Sequence, residues 1–296
     1  MTGGTPRLGF IGIGLMGEAM TLRLLERGYA VSVWNQEPER LDAVVPHGAV
    51  PRESPAAVAE ASDIVLMCVL HTEAVRRCVF APDGVAAASR APQIVIDLST
   101  ADPDATRAMA EELRRATGTA WVDAPVSGGP GAARAGTMTV MAGGRDEDVA
   151  AIRPVMDDLA ANFTPMGPVG AGQTTKIINQ AIVGAGYVLM AEAVILAEAA
   201  GIAAERLPQC LAGGAADSIL LQTIYRQMLA RDFAKPKGYA RQLLKDLEAV
   251  VAFEHGHGLS LPVVEAACER YRAYVGGGNA MQDTASVVRL YEGARS

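Results

Sequence analysis

The chain has 296 residues, of which half are hydrophobic and 5% are aromatic, and it carries a formal net charge of −7. Its length allows two domains with separate cores, and so apolar a composition excludes a disordered chain. The acidic charge argues against a nucleic-acid-binding protein, which would need a basic surface. The four cysteines form no Cys-x-x-Cys pair and the four histidines join no ligand cluster, so we expect a cytoplasmic protein with reduced thiols and no metal site.

The first part of the sequence predicts an α/β fold with a doubly wound sheet. Apolar runs of strand length alternate there with helical stretches, as βαβ units require. The predicted strands cover residues 7–12, 30–34, 64–70, 93–98, 120–123, 137–142 and 163–166. The predicted helices cover 15–27, 38–45, a short stretch that begins at Ser54 and Pro55, 72–80, 102–116 and 146–161.

From residue 171 onward the sequence keeps a helical period throughout. The predicted helices cover 171–201, 203–211, 218–229, 239–255, 261–275 and 284–292. Prolines and glycines cluster just before the first of them. We therefore expect a Rossmann-like first domain over 1–168 and an all-α second domain over 169–296, with a long interdomain helix between them.

The long helix predicted over 171–201 is unusually apolar. Its uncharged stretch, 177–191, is shorter than a membrane span and is followed by Glu192 and Glu198. We therefore expect a buried helix and no membrane contact. Its apolar surface exceeds what a small helical domain can bury, which predicts packing against a second subunit in a homodimer or homotetramer. The alternative is a central helix wrapped by its own domain.

A glycine-rich motif, Gly12-Ile13-Gly14-Leu15-Met16-Gly17, follows the first predicted strand and opens the first predicted helix. Residues without side chains let the backbone amides and the positive helix terminus approach a pyrophosphate. The motif in this position predicts a nicotinamide dinucleotide site. A tight turn without a ligand is the alternative.

The end of the second predicted strand bears on the choice between NAD and NADP. An acid at this position binds both ribose hydroxyls and selects NAD. Here Asn35 takes the position, followed by Gln36; Arg40 could reach a phosphate, but the charge of Glu37 works against that. These residues leave the cofactor undecided, with a slight preference for NADP.

Two later segments predict substrate chemistry. Ser127, Gly128 and Gly129 follow a strand at the carboxyl edge of the sheet, where they would hold a small carboxylate, although the segment could also be a plain loop. Lys176 and Asn179 are three residues apart and project from one helix face. Burial would lower the pKa of Lys176 towards the range useful for proton transfer, whereas the alternative is a snorkelling lysine at a helix end.

Together these segments resemble the β-hydroxyacid dehydrogenase family, which includes 3-hydroxyisobutyrate dehydrogenases, tartronate semialdehyde reductases and glyoxylate or succinic semialdehyde reductases. The resemblance spans nearly the whole chain in the expected order. The matching segments are 9–17, 97–100 (Asp-Leu-Ser-Thr), 123–129, 172–179 and 245–247 (Lys-Asp-Leu).

The resemblance implies hydride transfer between NAD or NADP and a small 3-hydroxy or 2-hydroxy carboxylic acid, which is interconverted with its semialdehyde or keto acid. Lys176 would be the general acid and base, Asn179 would orient the substrate, and the loop from Ser127 to Gly129 would bind its carboxylate. Further implied contacts are Val69, Leu70, Thr100, Lys245 and Asp246 for the cofactor and Phe233 for the substrate.

Three segments depart from the family pattern. Gln36 replaces the arginine of members that prefer NADP, Gln180 replaces the second of two asparagines, and His71-Thr72 stands where Pro-Asn or Pro-Asp is common. The sequence shows no obvious second arginine for binding a carboxylate, which favours a monocarboxylate as the substrate. Arg134 and Arg241 leave a dicarboxylate substrate open.

Two other functions compete with this hypothesis. Imine reductases share the architecture and the glycine motif but usually carry another residue in place of the lysine. A non-catalytic protein could keep the dinucleotide as a structural or sensing ligand. Lys176 argues against both, and the loop from Ser127 to Gly129 argues against the first.

Overall fold

The structure is a computed structural model that describes residues 5–292, and the chain divides into two units, Met1–Lys176 and Ile177–Ser296. The division falls within a helix, Ala171–Ala199, and so lies later than the boundary expected between 168 and 169. Gly170, just before that helix, and Gln173, in its first turn, donate their amides to the carboxylate of Asp123 in the first unit.

The described residues of the first unit contain one sheet of nine strands. The strands are β1 (Leu8–Ile11), β2 (Val31–Trp34), β3 (Val50–Pro51), β4 (Ile64–Met67), β5 (Ile94–Asp97), β6 (Ala120–Asp123), β7 (Val126–Ser127), β8 (Met138–Gly143) and β9 (Ala160–Gly167). Their order is β3-β2-β1-β4-β5-β6-β8-β7, and β9 pairs with β8. The run from β3 to β6 is parallel, and β8 is antiparallel to β6 and β7.

Helices cover both faces of this sheet. They are α1 (Leu15–Glu26), α2 (Pro55–Glu60), α3 (Thr72–Phe80), α4 (Pro103–Thr117), α5 (Gly129–Ala135) and α6 (Asp146–Leu159). Successive residues of a strand point to opposite faces. Accordingly, Phe10 and Leu66 belong to one apolar cluster, while their neighbours Ile11 and Met67 belong to another. This two-sided burial confirms the doubly wound fold.

The first unit differs in detail from the sequence predictions. The helical stretch predicted over 38–45 is present as two 3-10 helices, Pro38–Ala43 and Val45–His47. The sequence does not predict strands β3 and β7, because each has only two residues, too few to show an alternation of apolar and polar side chains. Strand β9 begins at Ala160, directly after α6, rather than at 163.

The second unit is built from helices, as predicted. Its α-helices are α7 (Ala171–Ala199, which begins in the first unit), α8 (Leu207–Cys210), α9 (Arg226–Leu229), α10 (Ala240–Gly256) and α11 (Pro262–Tyr274). Residues predicted as regular helices at 203–211, 218–229 and 284–292 instead include 3-10 turns, Ala204–Arg206 and Thr284–Tyr291, and a π-helical turn, Leu221–Tyr225. Tyr225 and Tyr271 are fully buried in the core of this unit.

Helix α7 is long and apolar enough to cross a membrane by length and composition alone, with a mean hydropathy of 1.7. In the single chain, 28% of an apolar 18-residue stretch of this helix is buried, and its burial against a second subunit, expected from the sequence, stays a prediction. Its polar side chains nevertheless bind within the second unit. Glu192 accepts a hydrogen bond from the Tyr291 hydroxyl at 3.1 Å, and Glu198 pairs with Arg231 at 3.1 Å.

Candidate functional site

The three motif glycines serve different purposes. Gly12 has φ +97°, and a Cβ there would lie 2.3 Å from the carbonyl oxygen of Cys68. A Cβ on Gly17 would lie 1.9 Å from the carbonyl oxygen of Gly12, whereas one on Gly14 would meet open space. The first and third glycines thus permit close packing, and the second leaves the backbone accessible at the start of α1. This arrangement fits a dinucleotide pyrophosphate.

Asn35, at the end of β2, is turned towards the glycine loop. The side chain is buried, and its Oδ1 accepts a hydrogen bond from the Ile13 amide at 2.7 Å. Its Nδ2 donates to the carboxylate of Glu37 at 2.9 Å and to the carbonyl of Glu37 at 3.0 Å. Gln36 and Arg40 are exposed. Sequence reasoning assigned the ribose to Asn35 and did not include Glu37 in the site.

The carboxyl ends of β4 and β5 bring together three residues predicted to contact the cofactor. The Val69 amide donates to the Ser99 hydroxyl at 2.9 Å, which fixes the segment carrying Leu70 beside the segment carrying Thr100. Leu70 is exposed and Thr100 half-buried. Ligands of open α/β sheets bind at this edge.

Gln173, in the first turn of α7, connects the helix to this segment, and sequence reasoning missed it. Its side chain is fully buried. Its Nε2 donates to the Ser99 carbonyl at 2.8 Å, and its Oε1 accepts from the Ala101 amide at 3.0 Å. The residues on either side of Thr100 are therefore tied to the helix that carries Lys176.

Asp123, at the end of β6, holds the start of α7. Its carboxylate accepts from the amides of Gly170 at 2.7 Å and Gln173 at 2.8 Å. A carboxylate also has a favourable interaction with the positive end of the helix dipole. Burial raises the pKa of Asp123 to about 6. Sequence reasoning placed Asp123 in a matching segment without giving it this role.

A second buried acid, Asp97, lies beside Asp123 in the strand register. One carboxylate oxygen accepts from the Ser99 amide at 3.0 Å, and the other has no hydrogen-bond partner among residues 5–292. Burial raises the pKa of Asp97 to about 7. Burial, followed by the charge of Asp97, also raises the pKa of the Cys68 thiol to about 12, and Lys176 opposes that shift. Cys68 is therefore a neutral thiol.

Lys176 reaches the predicted carboxylate loop. Only 8% of the residue is exposed, and its Nζ donates to the Val126 carbonyl at 2.9 Å. Val126 precedes Ser127, which is held in register opposite Thr139. Gly128 follows with φ +126°. The structure thus brings the predicted proton-transfer residue and the predicted substrate loop together.

A chain of polar contacts connects the predicted residues of the second unit. Asn179 donates to the Gln180 side chain at 2.8 Å, and Gln180 donates to Asp246 at 2.6 Å. The ammonium of Lys245 lies 3.2 Å from the other oxygen of Asp246. Gln180, noted in the sequence only as a departure from the family pattern, is the residue that joins Asn179 to Asp246.

Phe233 is placed differently from these polar residues. Only 6% of it is exposed, and it belongs to the apolar core of the second unit. The guanidinium of Arg289 lies 5.1 Å from the centre of its ring. Its contact with a substrate stays a prediction.

The histidines have neighbours that the sequence did not predict. The side chains of Glu254, His255 and Glu265 offer ligand atoms that lie within 4.8 Å of one another. Glu265 also accepts from the Ser260 hydroxyl at 2.8 Å, and Glu254 accepts from the Leu261 amide at 3.5 Å. These contacts link the end of α10 to the start of α11, which is a structural role.

Two family models match the chain. The NAD-binding domain of 6-phosphogluconate dehydrogenase matches residues 7–167, and the NAD-binding domain of NADP-dependent 3-hydroxyisobutyrate dehydrogenase matches residues 170–291. The 2-hydroxy-3-oxopropionate reductase of Escherichia coli is 32% identical over 286 residues, which cover 97% of each chain.

Solved structures agree with these matches. The 3-hydroxyisobutyrate dehydrogenase of Mycobacterium tuberculosis, in a structure with L-serine, superposes with a TM-score of 0.87 at 27% identity, over 99% of this chain and 100% of that chain. An imine reductase from a Pseudomonas species superposes with a TM-score of 0.62 at 20% identity, over 97% of this chain and 99% of that chain. The second likeness is one of fold alone.

Proposed function

The chain belongs to the β-hydroxyacid dehydrogenase family and is an NAD(P)-dependent oxidoreductase, and we propose that Lys176 is its general acid and base. One observation carries this proposal. Lys176 is buried, and its ammonium lies 2.9 Å from the backbone carbonyl of Val126, next to Ser127 and the two glycines. A donor so close to a loop suited to carboxylates can reach the hydroxyl of a short bound acid.

The nicotinamide cofactor, when bound, supplies the hydride acceptor or donor. The glycine loop holds its pyrophosphate, and Val69, Leu70 and Thr100 contact it at the carboxyl edge of the sheet. Ser127, Gly128 and Gly129 bind the substrate carboxylate. Lys176 takes the hydroxyl proton during oxidation and returns a proton to the carbonyl oxygen during reduction. Asn179 orients the substrate.

The substrate we propose is a small 3-hydroxy or 2-hydroxy monocarboxylate, interconverted with its semialdehyde or keto acid. Arg134 is paired with Glu26, and Arg241 stacks 6.0 Å from the ring of Tyr239, so both arginines already have partners. This supports a monocarboxylate over a dicarboxylate.

A spectrophotometric panel tests the proposed function. Reduced cofactor is offered with glyoxylate, succinic semialdehyde, other short semialdehydes and a set of cyclic imines, for the wild type and for Lys176→Ala. We expect turnover of a carboxylate-bearing aldehyde or keto acid that Lys176→Ala loses. Turnover of imines alone would support an imine reductase, and tight cofactor binding without turnover across the panel would support a non-catalytic sensor.

We also propose that the chain forms a homodimer or homotetramer through α7. Large apolar residues are exposed along this helix: Ile178, Ile182, Leu189 and Leu196. Such a face in water favours association with a second copy. Light scattering should show a dimer or tetramer that Leu189→Glu dissociates, whereas Leu259→Glu, a similarly exposed residue outside α7, should not. A wild-type monomer at micromolar concentration would contradict this proposal.

A cytoplasmic location is proposed on the state of the thiols. Cys68, Cys78, Cys210 and Cys268 are all unpaired in the structure. Proteins of oxidising compartments tend to pair their cysteines. Alkylation in intact cells, followed by mass spectrometry, should find the exposed Cys210 reduced; a disulfide at Cys210 would contradict the assignment.

A further inference from the structure

We propose that Glu37 makes this enzyme prefer NAD to NADP. The proposal rests on the dinucleotide role of the glycine loop given above, and it reverses the slight preference for NADP drawn from Asn35 and Arg40. The residue that selects between the two cofactors would then be Glu37, two residues after Asn35, which occupies the position that ordinarily makes this selection.

The side chain of Asn35 already has hydrogen-bond partners within the protein. Its Oδ1 accepts from the Ile13 amide at 2.7 Å, and its Nδ2 donates twice to Glu37. The side chain is also buried, with 8% of the residue exposed. Asn35 therefore braces the glycine loop against the segment that follows β2, and it has little left to offer a ribose.

Asn35 holds the carboxylate of Glu37 through one of its two oxygens. Glu37 is exposed, and its Oε2 lies 2.9 Å from the Asn35 amide. Its Oε1 has no hydrogen-bond partner within the part of the chain that the structure describes. A carboxylate fixed through one oxygen, at the end of the strand next to the glycine loop, can accept from the ribose hydroxyls with the other. The same carboxylate would repel a 2′-phosphate.

The charges of the residues next to Glu37 also bear on the choice of cofactor. Residues 36–40 contain two acids, Glu37 and Glu39, and one base, Arg40. The next arginine along the chain, Arg52, directs its Nε to the Ser32 hydroxyl at 3.2 Å. The segment is therefore net acidic, and a phosphate dianion would find less attraction than repulsion there.

Cofactor affinities measured without substrate test this inference. NADH and NADPH are titrated into the wild type, Glu37→Gln and Glu39→Gln, and binding is followed by nicotinamide fluorescence. We expect the wild type to bind NADH at least about tenfold more tightly than NADPH, which is about 1.4 kcal/mol. Glu37→Gln should reduce the preference for NADH over NADPH by about tenfold, mainly because the Kd of NADPH falls. Glu39→Gln removes the same charge two residues on and should change the ratio less than about threefold.

Ionic strength gives a second readout that does not depend on a variant. Because salt screens exposed charges, the preference for NADH should shrink between about 0.05 and about 0.5 M salt in the wild type and much less in Glu37→Gln. A wild type that binds NADPH more tightly, or a Glu37→Gln ratio equal to that of the wild type, would overturn the inference. An equal shift in Glu39→Gln would overturn the role of Glu37 in particular. Binding of neither cofactor would instead refute the dinucleotide function itself.

Discussion

Two ends of the same sheet edge are organised in opposite ways. The start of α7 is fixed by buried groups: Asp123 binds its amides, and Gln173 ties it to the segment around Thr100. The end of β2 is fixed by one amide, Asn35, and presents an exposed carboxylate, Glu37. Proton transfer needs accurate placement, which buried hydrogen bonds provide. Discrimination between two cofactors needs only a charge, which an exposed side chain can supply or lose without disturbing the fold.

The largest effect on stability is expected at Asp123. Asp123→Ala leaves the buried amides of Gly170 and Gln173 without their acceptor, which costs about 1–3 kcal/mol for each. Urea unfolding measures the loss. The matched control is Asp146→Ala, because Asp146 is likewise an acid at the start of a helix, in the first turn of α6, but is exposed. That change should cost less than about 1 kcal/mol, and equal losses in the two variants would show that burial of Asp123 contributes nothing.

The buried acid Asp97 predicts a pH dependence. Burial raises its pKa in the folded state to about 7, from an ordinary value of 3.8. The unfolded chain therefore loses its proton first as pH rises, and the stability contributed by the protonated form is present below the ordinary pKa and lost as pH approaches 7. The free energy of unfolding should fall by about 2 kcal/mol between about pH 5 and 7.

Asp97→Asn should reduce this dependence, most clearly above about pH 6, since the amide does not titrate, whereas Asp123, whose pKa burial raises to about 6, still contributes below that pH. Acids whose pKa is lowered by partners, such as Glu60 and Glu111, lose charge below this window and do not mask it. Urea unfolding at several pH values measures the effect. Stability that rises with pH in the wild type, or a dependence unchanged in Asp97→Asn, would refute the assignment.

A moderate effect on rate is expected at Gln173. Gln173→Ala removes the two hydrogen bonds that join α7 to Ser99 and Ala101, and we expect kcat to fall by about tenfold to a hundredfold. Thr174→Ala, on the next residue, removes only a bond to the Gly170 carbonyl and should change kcat less than about threefold. The pH profile of kcat should keep its shape in Gln173→Ala, because the residue positions the helix and carries no proton. A fall in stability with kcat unchanged would show that Gln173 is structural only.

The smallest effect on stability is expected at Glu37, after the end of β2. Glu37→Gln should leave the free energy of unfolding within about 0.5 kcal/mol of the wild type, because the side chain is exposed. Thermal unfolding beside the cofactor titrations measures both properties in one variant. A loss of stability as large as that of Asp123→Ala would erase the contrast between the two ends.

Much of this contrast could be predicted from the sequence. The glycine loop, the alternation of strands and helices, and the pair formed by Lys176 and the Ser127 loop follow from local patterns and family resemblance, and the structure brings that pair together. The helix caps at Ser54 and Asp102 are also local, since each side chain accepts from an amide three residues on.

The anchors of α7 could not be predicted in the same way. Gly170 and Gln173 are 47 and 50 residues from Asp123, and Gln173 is 72 and 74 residues from its partners in the Ala101 segment. Such pairs follow only from the order of the strands in the sheet. Glu37 is a different case, because it lies two residues from Asn35. The charge of Glu37 is evident in the sequence, but nothing in the sequence shows that Asn35 turns inward and holds this carboxylate.

Single-turnover hydride transfer at Lys176 is the most direct measurement. Wild type and Lys176→Ala are mixed with reduced cofactor, and the decay of nicotinamide absorbance is followed after addition of the substrate found in the panel. We expect Lys176→Ala to slow the transfer by about 10²- to 10⁴-fold while the Kd of the cofactor stays within about threefold of the wild type. A transfer rate within a few fold of the wild type, with the cofactor still bound, would contradict the role of Lys176.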